Sequence, residues 1–180
     1  MVERCLRGER KACNELYETY SMTLYRMCQR YGNNRIEAEE MLQTGFIEVF
    51  KNIGKWKGDG PLGAWIRRVV LNQSLQLLKK NQKQRQIQSI DNHYDIASSE
   101  VDAISQLQAD DLLDLLQRMP TGYRTVFNLY VIDGYSHKEI SEELEVSVST
   151  SKTQLRKARL YMRASLQKFI PEEYETRSEY

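Results

Sequence analysis

The feature that most restricts this chain's fold is a helical recurrence of apolar residues along nearly its whole length. Nowhere is there the sustained alternation that a half-buried strand would show. Ala12, Leu16, Tyr20, Leu24, Met27 and Tyr31 mark one long helix, stopped at Gly32-Asn33-Asn34. Ala38, Met41, Leu42, Gly45, Phe46, Val49, Phe50 and Ile53 mark a second, ending at Gly54. Residues 55–61 hold three helix breakers and read as a loop. A third helix is expected from about Leu62 to Lys80, through Trp65, Ile66, Val69, Val70 and Leu78. The expected fold class is all-α.

From Asn81 to about Gln106 the pattern thins into Gln, Ser, Asn and Asp. Ile87, Ile90, Ile96, Val101 and Ile104 are too sparse to build a core, so this stretch reads as an extended, flexible linker. Periodicity returns with Leu107, Leu112, Leu115, Leu116 and Met119. Pro120 suits the first turn of a further helix that carries Val126, Phe127 and Tyr130 and closes at Asp133-Gly134. A chain of 180 residues accommodates two small domains. The expected division is a helical domain over 1–81, an acidic linker over 82–106, a second helical domain over 107–170 and a tail over 171–180.

Net charge is only +1, but its distribution is uneven. From Leu62 to Arg85 lie Arg67, Arg68, Lys79, Lys80, Lys83 and Arg85 with no acid. From Gln86 to Gln117 lie seven acids, among them Asp91, Glu100 and Asp111, with no base. From Ser149 to Arg163 lie Lys152, Arg156, Lys157, Arg159 and Arg163, again without an acid. Two basic blocks separated by an acidic one suit two polyanion-binding surfaces, although such runs also occur as solvated helix faces. Cys5, Cys13 and Cys28 form no CxxC pair and fit reduced, packed thiols. No apolar run approaches the roughly eighteen residues of a membrane span, and no signal-peptide pattern opens the chain, so a cytoplasmic protein is expected.

Ser136-His-Lys-Glu139 has the form of a capping box and starts a short helix with Ile140 and Leu144 inward. After the Glu145-Val146-Ser147 turn, a second helix turns Val148, Leu155, Ala158, Met162, Leu166 and Phe169 inward. Its other side shows Ser149, Thr150, Lys152, Thr153, Arg156, Lys157 and Arg159. This helix-turn-helix layout places side chains in the major groove, early residues at base edges and later cations at phosphate. An ordinary amphipathic helical pair is the alternative. Glu145 stands where a turn glycine would be more comfortable.

The loop and helix from Trp56 to Lys80 combine two tryptophans, glycines and unopposed cations. Trp56 and Trp65 offer faces to unstacked bases, Arg67, Arg68, Lys79 and Lys80 suit the backbone, and Asn72 suits a base or sugar. Trp65 at helical spacing also reads as core.

The order of these features resembles that of the extracytoplasmic-function sigma factors, over roughly residues 5 to 168. Residues 38–50 (AEEMLQTGFIEVF) resemble the family's AEDLVQEVFLRVF-type helix, and residues 65–72 (WIRRVVLN) resemble its WLxRIAxN signature. Gly134 to Leu144, continuing through Arg159, resembles its GxSxxEIAxxL…RAR element. The resemblance implies an alternative sigma factor of sigma regions 2 and 4, which binds core RNA polymerase and melts the minus-ten element. It implies that Glu40, Gln43 and Phe46 dock on the clamp helices of the largest subunit, with a further contact at the flap. It implies minus-ten recognition by Trp56, Lys57, Asp59, Leu62, Trp65, Arg67, Arg68 and Asn72. Ser149, Lys152, Thr153, Arg156, Lys157 and Arg159 would read the minus-thirty-five element, and the linker would thread the RNA exit path. An anti-sigma factor, often membrane-anchored in this family, is an implied partner.

The chain departs from the family pattern at Pro61-Leu62, where an aromatic is frequent. Lys79-Lys80 replaces a frequent Arg pair, and Ser151 replaces a small apolar residue.

A helix-turn-helix regulator with an N-terminal helical sensing domain is the competing reading, and an interaction scaffold a second. No phosphate loop or His/Cys metal spacing is present, and His93 and His137 stand apart, so neither an enzyme nor a cofactor is expected.

Overall fold

The computed structural model describes residues 1–88 and 109–167. Expectations for Leu107, for Phe169, for the linker beyond 88 and for the 171–180 tail lie outside these residues. The described residues contain helices and no strand, and they divide between two compact units, Met1–Gln88 and Ser89–Tyr180.

In the first unit, α1 (Val2–Leu6) precedes α2 (Arg10–Tyr31), α3 (Arg35–Asn52), a 3-10 turn (Ile53–Lys55) and α4 (Leu62–Gln88). The break between α2 and α3 is chemically specified. Asn34 caps α3 by accepting from the Glu37 amide at 2.9 Å, while the Glu37 carboxylate accepts from the Asn33 amide at 3.0 Å. Leu16, Leu24, Met27, Met41, Phe46, Val49, Ile66, Val70 and Leu75 interlock as the core of these three helices. Helices α3 and α4 approach closely at Gly45, where a Cβ would stand 2.8 Å from Val70 Cγ1.

Two features were not expected from the apolar pattern. The short α1 is a separate helix, held to the rest by buried Cys5 and by Arg4, which pairs with Glu9 and Glu15. Helix α4 runs to Gln88, past the loss of apolar spacing at Asn81. Residues 81–88 are mostly Gln, Lys and Arg, good helix formers with no glycine or proline to stop them. Cys28 is fully enclosed beside Ser74 at 4.0 Å, and burial pushes its thiol up to about 11, so it packs as an inert group. All three cysteines are free.

The second unit comprises α5 (Ala109–Arg118), α6 (Thr121–Phe127), a wide turn (Asn128–Ile132), α7 (His137–Leu144) and α8 (Val148–Gln167). Leu115, Leu116, Met119, Ala158 and Met162 form its core, covered by Tyr123, Phe127, Tyr161 and Leu166. Buried Arg124 donates from Nη1 to the Gln117 carbonyl at 2.9 Å, near the end of α5. Pro120 is the N-cap of α6 rather than a residue of its first turn. After Phe127 the chain widens, Asp133 N bonding back to the Asn128 carbonyl, before α7.

Two residues expected inward are exposed: Leu112 in α5 and Val148 in α8. Both lie near the start of their helix. Side chains lean toward a helix's N-terminus, so a first-turn residue reaches past the body that would cover it.

Candidate nucleic-acid interface

The α7 start has the predicted chemistry: Ser136 Oγ accepts from the Glu139 amide at 3.2 Å, and the Glu139 carboxylate accepts from Ser136 N at 2.8 Å. The three-residue turn ends with Ser147, whose Oγ accepts from the Thr150 amide at 2.9 Å and starts α8. Glu145 takes the left-handed conformation, φ +56, at the position where the sequence lacks a glycine.

Ser151, Leu155, Ala158 and Met162 face the core, so residues three and four apart on the opposite side face outward. Ser149, Lys152, Thr153, Arg156, Lys157 and Arg159 are all exposed. Helical stepping separates them: Ser149, Thr153 and Arg156 share one stripe with Leu160, Arg159 lies to one side above Tyr130, and Lys157 lies to the other above Tyr123. A groove of about 350 Å³ along this face is lined by His137, Lys152, Leu155, Arg156, Arg159, Leu160 and Arg163.

His137, at the start of α7, is part of this groove. Its Nδ1 hydrogen-bonds Ser151 Oγ at 2.9 Å, and its ring stacks on Tyr130 at 4.5 Å. Burial first, then Lys152 and Arg159, hold its pKa below the ordinary range. Ser151, the polar departure from the family pattern, is fully enclosed and finds its partner in that imidazole.

In the first unit, Trp56, Lys57, Asp59, Trp65 and Arg68 of the predicted set surround a cleft of about 420 Å³, with Lys55, Gly60, Pro61 and Ala64. Gly58, at φ +83, makes the loop turn that closes it. Trp65 is half-buried and lines the cleft instead of belonging to the core. Two aromatic walls with cations at the rim suit an unstacked base beside its phosphate.

Three predicted residues do not line the cleft. Leu62 is half-buried at the start of α4. Arg67 stands two residues from Trp65, hence about 200° around the helix, and its Nη1 lies 4.0 Å from Met27 Sδ of α2. Asn72 follows Arg68 on the same side, but its Oδ1 is enclosed and without a hydrogen bond among the described residues.

On α3, Glu40 and Gln43 are exposed, whereas Phe46 is 3% exposed and packs on Tyr17 at 4.7 Å and Phe50 at 6.0 Å. The Phe46 ring, enclosed in this way, supports the outward face of α3 from beneath. Sequence reasoning missed Ile36 and Ile47, 77% and 52% exposed, which share the outward stripe with Glu40 and Gln43 at helical spacing.

Two family models cover the two helical units. Residues 16–84 match the family model for Sigma-70 region 2, and residues 109–162 match that for Sigma-70, region 4. The ECF RNA polymerase sigma factor SigW of Bacillus subtilis (strain 168) is 25% identical, over 92% of this chain and 94% of its own. The RNA polymerase sigma-H factor of Pseudomonas aeruginosa is 22% identical, over 96% and 95%. The solved structure of the sigma factor RpoE in complex with the anti-sigma factor NepR from Bartonella quintana has a TM-score of 0.56 at 15% identity, covering 87% of this chain and 98% of that one. It bears on fold alone.

Two helical units carrying regions 2 and 4 define a sigma-70 type initiation factor. The chain belongs to the extracytoplasmic-function sigma factors. It is thus an alternative sigma factor that directs transcription initiation. Among the described residues, no helix is long and apolar enough to cross a membrane.

Proposed function

We propose that the work of initiation divides between the two units as their surfaces suggest. Helix α3 docks on the clamp helices of core RNA polymerase through Glu40, Gln43, Ile36 and Ile47. The cleft between Trp56 and Trp65 takes an unstacked base of the minus-ten element, with Lys57, Asp59 and Arg68 at its rim. The outward face of α8 enters the minus-thirty-five major groove, with Ser149, Lys152, Thr153 and Arg156 at bases and Lys157 and Arg159 toward phosphate. Residues 1–81 and 107–170 are the proposed functional domains, and 82–106 the tether that follows the RNA exit path.

The observation that carries this reading is the pairing in one chain of an acid-free outward α8 face with an aromatic and cationic cleft. Flipping a base costs a few kcal/mol, which stacking of roughly 1–3 kcal/mol per base offsets. Neither unit has surface for tight specific binding alone, so affinity arises when both engage DNA on polymerase and linkage raises the local concentration. A cytoplasmic location follows from that partnership. The RpoE structure contains an anti-sigma factor, and we extend to this chain a regulator of the same class.

Run-off transcription with purified core polymerase on a pool of promoter fragments tests this. Discrete transcripts, lost in Trp65→Ala and Arg156→Ala, are expected. Unchanged transcription by both variants would contradict the assignment of these surfaces.

A further inference from the structure

We infer that His137, Lys152 and Arg159 form a seat for one backbone phosphate of duplex DNA, with His137 binding it as the imidazolium. The inference rests on α8 reading duplex DNA and adds a residue outside the recognition helix.

The imidazole is fixed on two sides. Its Nδ1 is joined to Ser151 Oγ at 2.9 Å, and its ring lies on Tyr130 at 4.5 Å. Arg159 also stands over the Tyr130 ring, 5.9 Å from its centroid. The remaining ring nitrogen, Nε2, has no hydrogen bond among the described residues. The groove that His137 lines also holds Lys152, Arg156, Arg159 and Arg163, and no carboxylate. On its own helix, the Glu139 carboxylate accepts from the Ser136 amide and hydroxyl, and the Lys138 carbonyl accepts from the Ser141 hydroxyl.

A groove whose lining holds four or more cationic or imidazole groups and no carboxylate concentrates positive potential. In the free chain, burial first and then Lys152 and Arg159 oppose a proton on His137. An anion seated among the three groups reverses that balance, because it screens the cations and accepts a charge-assisted hydrogen bond from Nε2–H. Protonation requires no rearrangement: neutral Nδ1 accepts from the Ser151 hydroxyl, and protonated Nδ1–H donates to its oxygen after the hydroxyl rotates. Duplex binding should therefore take up a proton at His137. Every duplex carries backbone phosphates, so this contribution is independent of sequence.

The test uses the full chain with His93→Gln, which leaves one imidazole resonance. It is titrated by NMR with and without a short mixed-sequence duplex at low salt, and affinity is followed by fluorescence anisotropy across the same pH range. Duplex is expected to raise the His137 pKa by about one unit, a tenfold gain in proton affinity. Binding should tighten as pH falls through the two pKa values, by up to about tenfold in total. His137→Gln should flatten the profile without loss of folding, and Lys152→Ala or Arg159→Ala should shrink the pKa rise. An unchanged or lowered His137 pKa, with binding still sensitive to Arg156→Ala, would overturn the phosphate seat alone. Absence of any salt-dependent duplex binding would overturn the α8 reading and this inference together.

Discussion

Gly45 of α3 lies so close to Val70 of α4 that an added Cβ would stand 2.8 Å from Cγ1 and 3.0 Å from Cγ2. Val70 is β-branched and fully enclosed, so it has no room to give. Gly45→Ala should therefore cost about 1–3 kcal/mol despite its better helix propensity. Gly122→Ala provides the contrast, because the nearest atom there is Gln154 Oε1, the end of a flexible side chain. That variant should be neutral or slightly stabilising. Urea unfolding of the two variants separates the cases.

Glu145 pays for a left-handed backbone between the two helices of the DNA-reading motif. Glu145→Gly should stabilise the second unit by about 0.5–1 kcal/mol, the relief being partly offset by the freer unfolded chain. A β-branched Glu145→Val should lower thermal stability instead.

The helical periods of α2, α3, α4 and α8 were legible because each long helix has one continuous enclosed face. Positions near helix starts were less so: Val148 and Leu112 obey the spacing, yet both are exposed among the described residues. The cleft showed in the Trp and Gly content of residues 56–65, but which arginine faces it follows only from helical stepping, which selects Arg68 over Arg67. The Ser151–His137 bond joins residues fourteen apart across a turn and had no sequence signal beyond an unexpected polar residue. Likewise Ile36 and Ile47 read as ordinary helix residues until their exposure was seen.

The two arginines supply a direct comparison. On a fork-junction promoter with core polymerase, Arg68→Ala should weaken binding to the opened strand by about 1 kcal/mol or more. Arg67→Ala should leave strand binding nearly intact and act through packing near Met27. Equal effects on strand binding would contradict the orientation of α4.

The free protein should lose stability in mild acid. Burial, with Lys152 and Arg159, lowers the His137 pKa from its ordinary 6.5. As pH falls through about 6.5, the unfolded chain therefore takes up a proton before the folded chain does, and folding weakens until the folded pKa is passed. Thermal melts over this range should show the loss, reduced in His137→Gln.

The most direct measurement of the whole account is association of the purified full chain with core RNA polymerase at low salt, alongside Ile36→Glu and Ile47→Glu. Saturable binding by the parent chain is expected. Each exposed substitution should weaken it by about tenfold, the effect of losing about 1.4 kcal/mol at an interface, without changing the melting temperature. No association of the parent chain with core enzyme, however well it binds DNA, would contradict the account.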